Sequence, residues 1–403
     1  MEVNEDMKNI RFSVIASTCC AVLFSGGVSA LELKSHKFGS TTVTSVVTTA
    51  LGYGDNVFRG SDSETSSTYF SFQPEVNAVR ETQQQRLSVG YQGNGLAFEA
   101  SSDDSFFSNR VNVDYARNLN AVSQLTLGAA LEDGSSVRGT GATEGSNDNL
   151  EGATDFTQTD LSVGYSIGST KIGPSLTLLY QATDLEFDNF ENINRGRDYS
   201  LDMFSARFGY QYSVATNFFV DLSSRDFDYD NPLSFLAADL DNTEQTVHVG
   251  VRWSVNRLIS GEISVGTTDK DFDNFQDPSS FTTWNAQIDW TPTPRDTVSL
   301  TSYSRPQEQS GSGLFQEIEQ TTLNWTRQLS RRLSVSGGLA LGKVDLGDAS
   351  RNDDFNSFNI GVQYNSGKYS TWALNFEHDD KESSLEQFDF DSNRVFVSYA
   401  VSL

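Results

Sequence analysis

Phe388-Asp389-Phe390-Asp391-Ser392-Asn393-Arg394-Val395-Phe396-Val397-Ser398-Tyr399-Ala400-Val401-Ser402-Leu403 closes the chain. Val395, Val397, Tyr399, Val401 and Leu403 fall on one face, and Arg394, Ser398, Ala400 and Ser402 on the other, which is the period of two of a β-strand. Phe396 breaks the pattern by placing a large ring in the small, polar row. A soluble sheet would bury the apolar row in a core. Only 37% of the 403 residues are hydrophobic, too few to fill several cores, so the apolar row is read as facing lipid and the polar row as facing water. Disorder is the other reading of so polar a chain, but 28 Phe and 14 Tyr argue against it.

The same alternation recurs along the whole chain from about Thr41. Its clearest instance is Val247-His248-Val249-Gly250-Val251-Arg252-Trp253-Ser254-Val255, where every odd position is apolar. Short connections are expected at 81–84, 119–121, 168–171, 214–216, 256–258, 291–295, 330–331 and 365–368. Longer acidic stretches rich in Gly, Ser and Asn lie between them, near 54–66, 101–106, 133–154, 188–198, 230–242, 272–280, 306–314, 346–354 and 380–387. Short turns alternating with long loops around an even number of strands predict an all-β fold, a transmembrane antiparallel up-and-down β-barrel of about 18 strands. Seven prolines in the whole chain suit uninterrupted strand pairing. An alternating strand at the very end also resembles the assembly signal of bacterial outer-membrane barrels, with Leu403 where those commonly carry Phe.

Residues 1–30 read as a secretory signal peptide: Lys8 and Arg11, then an apolar run from Phe12 to Phe24, then Val28-Ser29-Ala30. Residues 31–40 are expected to form a short periplasmic leader and 41–403 one barrel domain. Both cysteines, Cys19 and Cys20, fall in the signal segment, which leaves no thiol chemistry or disulfide for the rest. A formal net charge of -26 argues against nucleic acid as a partner.

If the apolar rows face lipid, the opposite rows line the lumen. They carry Arg110, Asp114, Asp160, Arg207, Asp221, Arg252, Glu262, Asp289 and Arg394, so a polar lumen of mixed sign is expected, wide enough for water. For any one of these residues the plain alternative is a solvated wall or a cross-lumen ion pair.

A loose repeat of acids and aromatics, at Leu185-Glu186-Phe187-Asp188-Asn189-Phe190, Asp226-Phe227-Asp228-Tyr229-Asp230, Asp271-Phe272-Asp273-Asn274-Phe275 and Phe388-Asp389-Phe390, marks the outer strand ends. Its rings Phe187, Phe190, Phe227, Tyr229, Phe272, Phe275, Phe388 and Phe390 are expected in the aromatic girdle at headgroup level. The alternative is a track of carbohydrate contacts. The carboxylates could instead bridge divalent cations to lipopolysaccharide phosphates.

No cofactor or metal site is expected, and the three histidines, His36, His248 and His378, stand in no catalytic or metal-ligand spacing. A hydrolase built on His248 beside Arg252 is the one enzymatic reading left open. The loop at 133–154 is the longest. It is read as a surface loop, with an inward fold that gates the lumen as the alternative.

Gly266-Thr267-Thr268-Asp269-Lys270-Asp271-Phe272-Asp273, Thr283-Trp284-Asn285-Ala286 running to Trp290-Thr291-Pro292-Thr293-Pro294-Arg295, the turn Gln328-Leu329-Ser330-Arg331-Arg332-Leu333-Ser334, and Asn393-Arg394-Val395-Phe396-Val397 together resemble the "putative beta-barrel porin 2" family. The resemblance implies a non-enzymatic pore in the bacterial outer membrane, embedded in lipid and lipopolysaccharide. It further implies export of a hydrophilic polymer, exopolysaccharide or capsule, in company with periplasmic polysaccharide export or co-polymerase proteins. A general diffusion porin and a structural or adhesive barrel are the alternatives. The acidic loops suggest a neutral polymer, or one screened by cations.

Overall fold

The structure, a computed structural model, describes residues 31–145, 150, 152–168, 172–232, 240–256, 258–273, 278–308, 315–346 and 351–403. The expected signal segment and Phe275 lie outside them. A short strand β1 (Ser35–Phe38) precedes the wall strands β2 (Thr41–Gly54), β3 (Ser67–Glu81), β4 (Gln85–Phe98), β5 (Phe106–Asn118), β6 (Ser123–Ser136) and β7 (Thr154–Gly168). The wall continues with β8 (Gly173–Phe187), β9 (Tyr199–Ser213), β10 (Thr216–Tyr229), β11 (Asn242–Val255), β12 (Ile259–Phe272) and β13 (Ser279–Thr293). It ends with β14 (Asp296–Glu308), β15 (Phe315–Gln328), β16 (Leu333–Leu346), β17 (Asn352–Asn365), β18 (Ser370–Ser383) and β19 (Phe390–Ser402).

Each strand pairs antiparallel with the next, and β19 pairs with β2 from Arg394↔Gly54 to Ser402↔Val46, which closes an 18-strand barrel. Closure leaves no unpaired edge in lipid, where an unsatisfied peptide group is expensive.

The wall strands run for 13 to 15 residues. At about 3.4 Å per residue and a tilt near 45°, such strands rise roughly 30–35 Å, beyond an apolar band of about 25 Å. Their outer ends therefore stand clear of the membrane core. Outward-facing Val247, Val249, Ile263, Val265, Leu339, Ile360, Val395 and Val397 are exposed, as lipid contact requires.

Near the short connections the lipid face carries Tyr212, Trp290, Trp325, Tyr364 and Trp372, all substantially exposed, with Trp372 packed on Tyr399 at 4.6 Å. These amphipathic rings form a girdle at the inner interface.

Two sequence expectations shift at the ends. The leader is partly a strand: β1 pairs with β2, and Lys34 N donates to Ser402 Oγ at 2.9 Å, so it docks on the seam where β19 meets β2. The inner turn after β13 is also tighter than expected, because pairing of Thr293 with Asp296 leaves only Pro294 and Arg295 outside the strands.

The ring that broke the pattern explains itself. Phe396 is 4% exposed and packs in the lumen with Ala50, Val57, Phe58, Tyr69, Leu96, Phe98 and Val137. The site tolerates no side chain at Gly52, where a Cβ would lie 2.4 Å from the Tyr69 ring and 2.8 Å from Phe396 Cβ. Phe396→Ala should therefore lower the unfolding free energy by about 3–5 kcal/mol. Urea titration of the folded barrel checks this, with lipid-facing Val397→Ala as the milder comparison.

Candidate functional site

All nine lumen candidates lie on the inward face, and most are held in ion pairs along the wall. Arg110 joins Glu132 at 2.5 Å and Asp160 at 3.2 Å. Arg207 bonds Asp221 through Nε and Nη2 at 2.6 Å each and reaches Glu262 at 3.0 Å, while Glu262 also takes Arg252 at 2.5 Å. Arg207 lies 4.1 Å from the Phe219 ring as well. Arg394 joins Asp379 at 2.6 Å and Glu377 at 3.3 Å. Asp114 and Asp289 accept from the amides of Asn112 and Gln287 on their own strands. Pairing between neighbouring strands follows from register: Arg110↔Glu132, Arg207↔Asp221 and Arg252↔Glu262 are cross-strand partners.

The aromatic repeats turn the other way from the girdle expectation. Phe227 and Tyr229 are buried with Leu185, Tyr199 and Leu240 on the lumen side, and Phe187 packs edge-on against Phe156 at 6.4 Å. Phe272 packs on Phe315 at 5.8 Å, and Phe390 lies beside Lys381 and Arg59. Phe388 is buried in a short 3-10 turn, Glu386–Phe388, and Phe190 caps the one-turn helix α1 (Glu191–Asn194) at φ 53. Because side chains alternate, Asp226 and Asp228 face outward. Beyond the membrane core an outward carboxylate meets headgroups and water, while the rings are removed from water by packing over the lumen. Asp226 and Asp228 thus stand off the lumen.

One part of this inward packing surrounds a buried cation that sequence reading did not single out. Lys270 is fully buried, bonds Asn242 Oδ1 at 2.6 Å and Glu244 at 3.0 Å, and pairs with Glu308. The rings of Phe227, Phe272 and Phe315 stand 5.2–5.8 Å from its ammonium. Tyr229 donates its hydroxyl to Glu308. Glu308 belongs to β14 and Tyr229 to β10, with three strands between them, so the outer end of β14 must lean over the lumen for the two to meet. The only sequence signal was a lysine in the polar row of β12, flanked by Asp269 and Asp271.

The segment after β6 folds into the lumen. Val137 enters the apolar cluster around Phe396, and Arg138 lies 4.2 Å from the Phe58 ring while pairing with buried Asp104 at 2.8 Å. A turn at Gly141–Thr143 follows, with Thr143 Oγ1 accepting from Gly139 N at 2.9 Å. Glu144 then accepts from Arg351 Nη2 at 2.8 Å and pairs with Lys381. Arg351 is itself bound through two nitrogens to Asp353 and stacks 3.8 Å from the Phe388 ring. Gly145, at φ 68, presses on that ring, and a Cβ there would sit 2.4 Å from it.

Along the wall, β6 is separated from β17 by β18, β19, β2, β3, β4 and β5. Glu144 can reach Arg351 only across the barrel, so the segment is a strap over the lumen, latched by a carboxylate. Burial alone would raise the Glu144 pKa, but Lys381 and Arg351 override it and hold the carboxyl below the ordinary glutamate range. Residues 137–145 of the long loop thus fold inward.

His248 bonds Thr283 Oγ1 at 2.7 Å and Ser264 Oγ at 3.4 Å. Those residues are 1% and 4% exposed, so neither hydroxyl is open to a substrate, and no carboxylate among the described residues hydrogen-bonds the imidazole. The cluster can brace the wall.

A family model described as "Putative beta-barrel porin 2" matches residues 33–403. Among solved structures, OccK2 (OpdF) of Pseudomonas aeruginosa is similar at TM-score 0.51 and 12% identity, over 90% of this chain and 98% of that one. OccAB3 of Acinetobacter baumannii gives TM-score 0.47 and 11% identity, over 90% of this chain and 99% of its own. The FrpB iron transporter from Neisseria meningitidis (F5-1 variant, apoprotein form) gives TM-score 0.49 and 7% identity over 84% of this chain, which spans 61% of the transporter's length. No curated protein matches. At such identity the likeness to OccK2 speaks for the fold.

Proposed function

The chain belongs to the "putative beta-barrel porin 2" family, and from that premise we propose that it is a gated bacterial outer-membrane pore, non-enzymatic, that passes a hydrophilic polymer outward, with a secreted polysaccharide as the substrate class. The observation that carries this reading is the latched strap across a polar lumen. A diffusion porin works by standing open, whereas a conduit for a secreted chain must keep small solutes from leaking when idle.

The wall suits a sliding hydrophilic chain. Its hydroxyls, amides and neutralised charges replace hydration without holding any one unit tightly. Periplasmic export or co-polymerase proteins would deliver the polymer, and their engagement would release the strap.

Single-channel recording in a planar bilayer tests the proposal. Wild-type protein should show low or intermittent conductance, and large openings, once they occur, should be blocked by polysaccharide from the protein's own host but not by unrelated polymers. Steady conductance indifferent to polymer would overturn the proposal in favour of a diffusion porin.

A further inference from the structure

We propose that a hollow in the lumen wall between β5 and β8 is a binding subsite for one neutral, polyhydroxylated sugar unit; this rests on the polymer-pore reading above. The hollow has a volume of about 240 Å³. Its floor is the stretch of β6 around Gly128 and Ala130, where side chains nearly vanish from the inward row. A Cβ at Gly128 would lie 2.5 Å from Ser162 Oγ and 3.6 Å from Asp114 Oδ1, so those two groups overhang the space that glycine leaves.

The rim has a fixed side and an open side. On the fixed side Asp160 is saturated by Arg110 at 3.2 Å, by Gln158 at 3.0 Å and by Thr183 at 2.9 Å, and Arg110 is anchored again by Glu132. These groups cannot swing away, which pre-organises the guanidinium edge. On the open side Asn112 occupies Asp114 Oδ2 at 2.7 Å, while Asp114 is exposed to the lumen and its Oδ1 accepts no bond from the described residues. An exposed carboxylate oxygen, a serine hydroxyl and a guanidinium around a shallow floor supply both acceptors and donors to adjacent hydroxyls of one ring.

Charge sets the class of ligand. Arg110 is neutralised by Glu132 and Asp160, so the group left facing the hollow is the Asp114 carboxylate, which would repel an anionic sugar and accept from a neutral one. The sugar's hydroxyls would be held long enough to register each passing unit and released by the absence of any deep enclosure.

The test uses the full-length barrel with Glu144→Gln, so that the strap does not limit access, and measures block of single-channel current by a neutral oligosaccharide, isomaltohexaose, against an acidic one, oligogalacturonate. Ala130→Leu fills the hollow and Asp114→Asn removes its open charge. Each should shorten the neutral oligosaccharide's residence time by roughly tenfold, the effect of losing one charge-assisted hydrogen bond. Ala340→Leu, the same change on the inward row of β16, should leave it unchanged.

Heat-modifiable migration on gels confirms that each variant is a folded barrel before recording. If isomaltohexaose blocks the parent pore but all variants retain its residence time, the subsite is overturned and the pore reading stands. Stronger block by oligogalacturonate would overturn the neutral-sugar assignment. If neither sugar nor the host polysaccharide blocks the unlatched pore, the subsite and the polymer reading on which it rests both fall, whereas block by host polysaccharide alone would remove only the subsite.

Discussion

Glu144→Gln is expected to open the pore. The substitution keeps the size of the side chain but removes the charge that Arg351 and Lys381 share across the lumen. Arg351 stays bound to Asp353, and Lys381 keeps the same carboxylate at 3.6 Å, so the wall itself should hold. A fully buried pair broken on one side would be worth roughly 3–5 kcal/mol. Glu144 keeps 27% of its side-chain surface accessible, so after solvent screening about 1–2 kcal/mol is the reasonable figure. That shifts a two-state strap by about 5- to 30-fold toward the open form.

Single-channel open probability is the measurement. Gly145→Val, which drives a side chain into the Phe388 ring without touching any charge, should open the pore in the same direction. If both variants conduct like the wild type, the strap is no gate.

The same latch predicts a pH dependence. The Glu144 pKa is lower in the folded protein than in the free side chain, so the carboxylate's contribution is fully present above the ordinary glutamate value of about 4.3 and is lost as pH falls through the lowered folded value. Wild-type open probability should therefore stay flat near neutrality and rise only in acid, below that ordinary value. The Glu144→Gln pore should lack this rise.

Lys270→Met should produce a large loss of stability in the barrel. Removing the ammonium leaves Glu308, 8% exposed, as a buried carboxylate without a cation and Glu244, 1% exposed, with Arg225 alone at 3.3 Å, a loss of about 3–5 kcal/mol. The rings of Phe227, Phe272 and Phe315 lose their cation as well. The midpoint of urea unfolding should fall accordingly. The triple variant Lys270→Met with Glu244→Gln and Glu308→Gln should regain most of the loss, because the damage lies in the unpaired charge. A triple variant as unstable as the single one would mean that the aliphatic stem of Lys270, and not its charge, holds the cluster.

The wall was legible in the sequence because its determinant is local. In β11 and β19 each residue's face follows from its neighbours alone, and lipid on one side with water on the other enforces the alternation at every step. The inward direction of Arg110, Arg207 and Arg252 came from the same rule. Even the misfit of Phe396 could be seen, though its meaning could not. The sequence position of Phe227, Tyr229 and Phe272 at strand ends suggests a girdle, but at a strand end a ring can face either headgroups or the lumen.

What decided between those two was contact between distant segments. Lys270 is tolerable only because the end of β14 leans in to bring Glu308 to it, and Glu144 becomes a latch only because the barrel's closure sets Arg351 and Lys381 opposite the end of β6. The sequence by itself determined an eighteen-strand wall with a polar inside, since alternation is a property of adjacent residues. Only the tertiary structure decided that the lumen is strapped, cored with aromatic rings and neutralised in pairs. Those features depend on which chords of the closed barrel meet, and no local pattern carries that information.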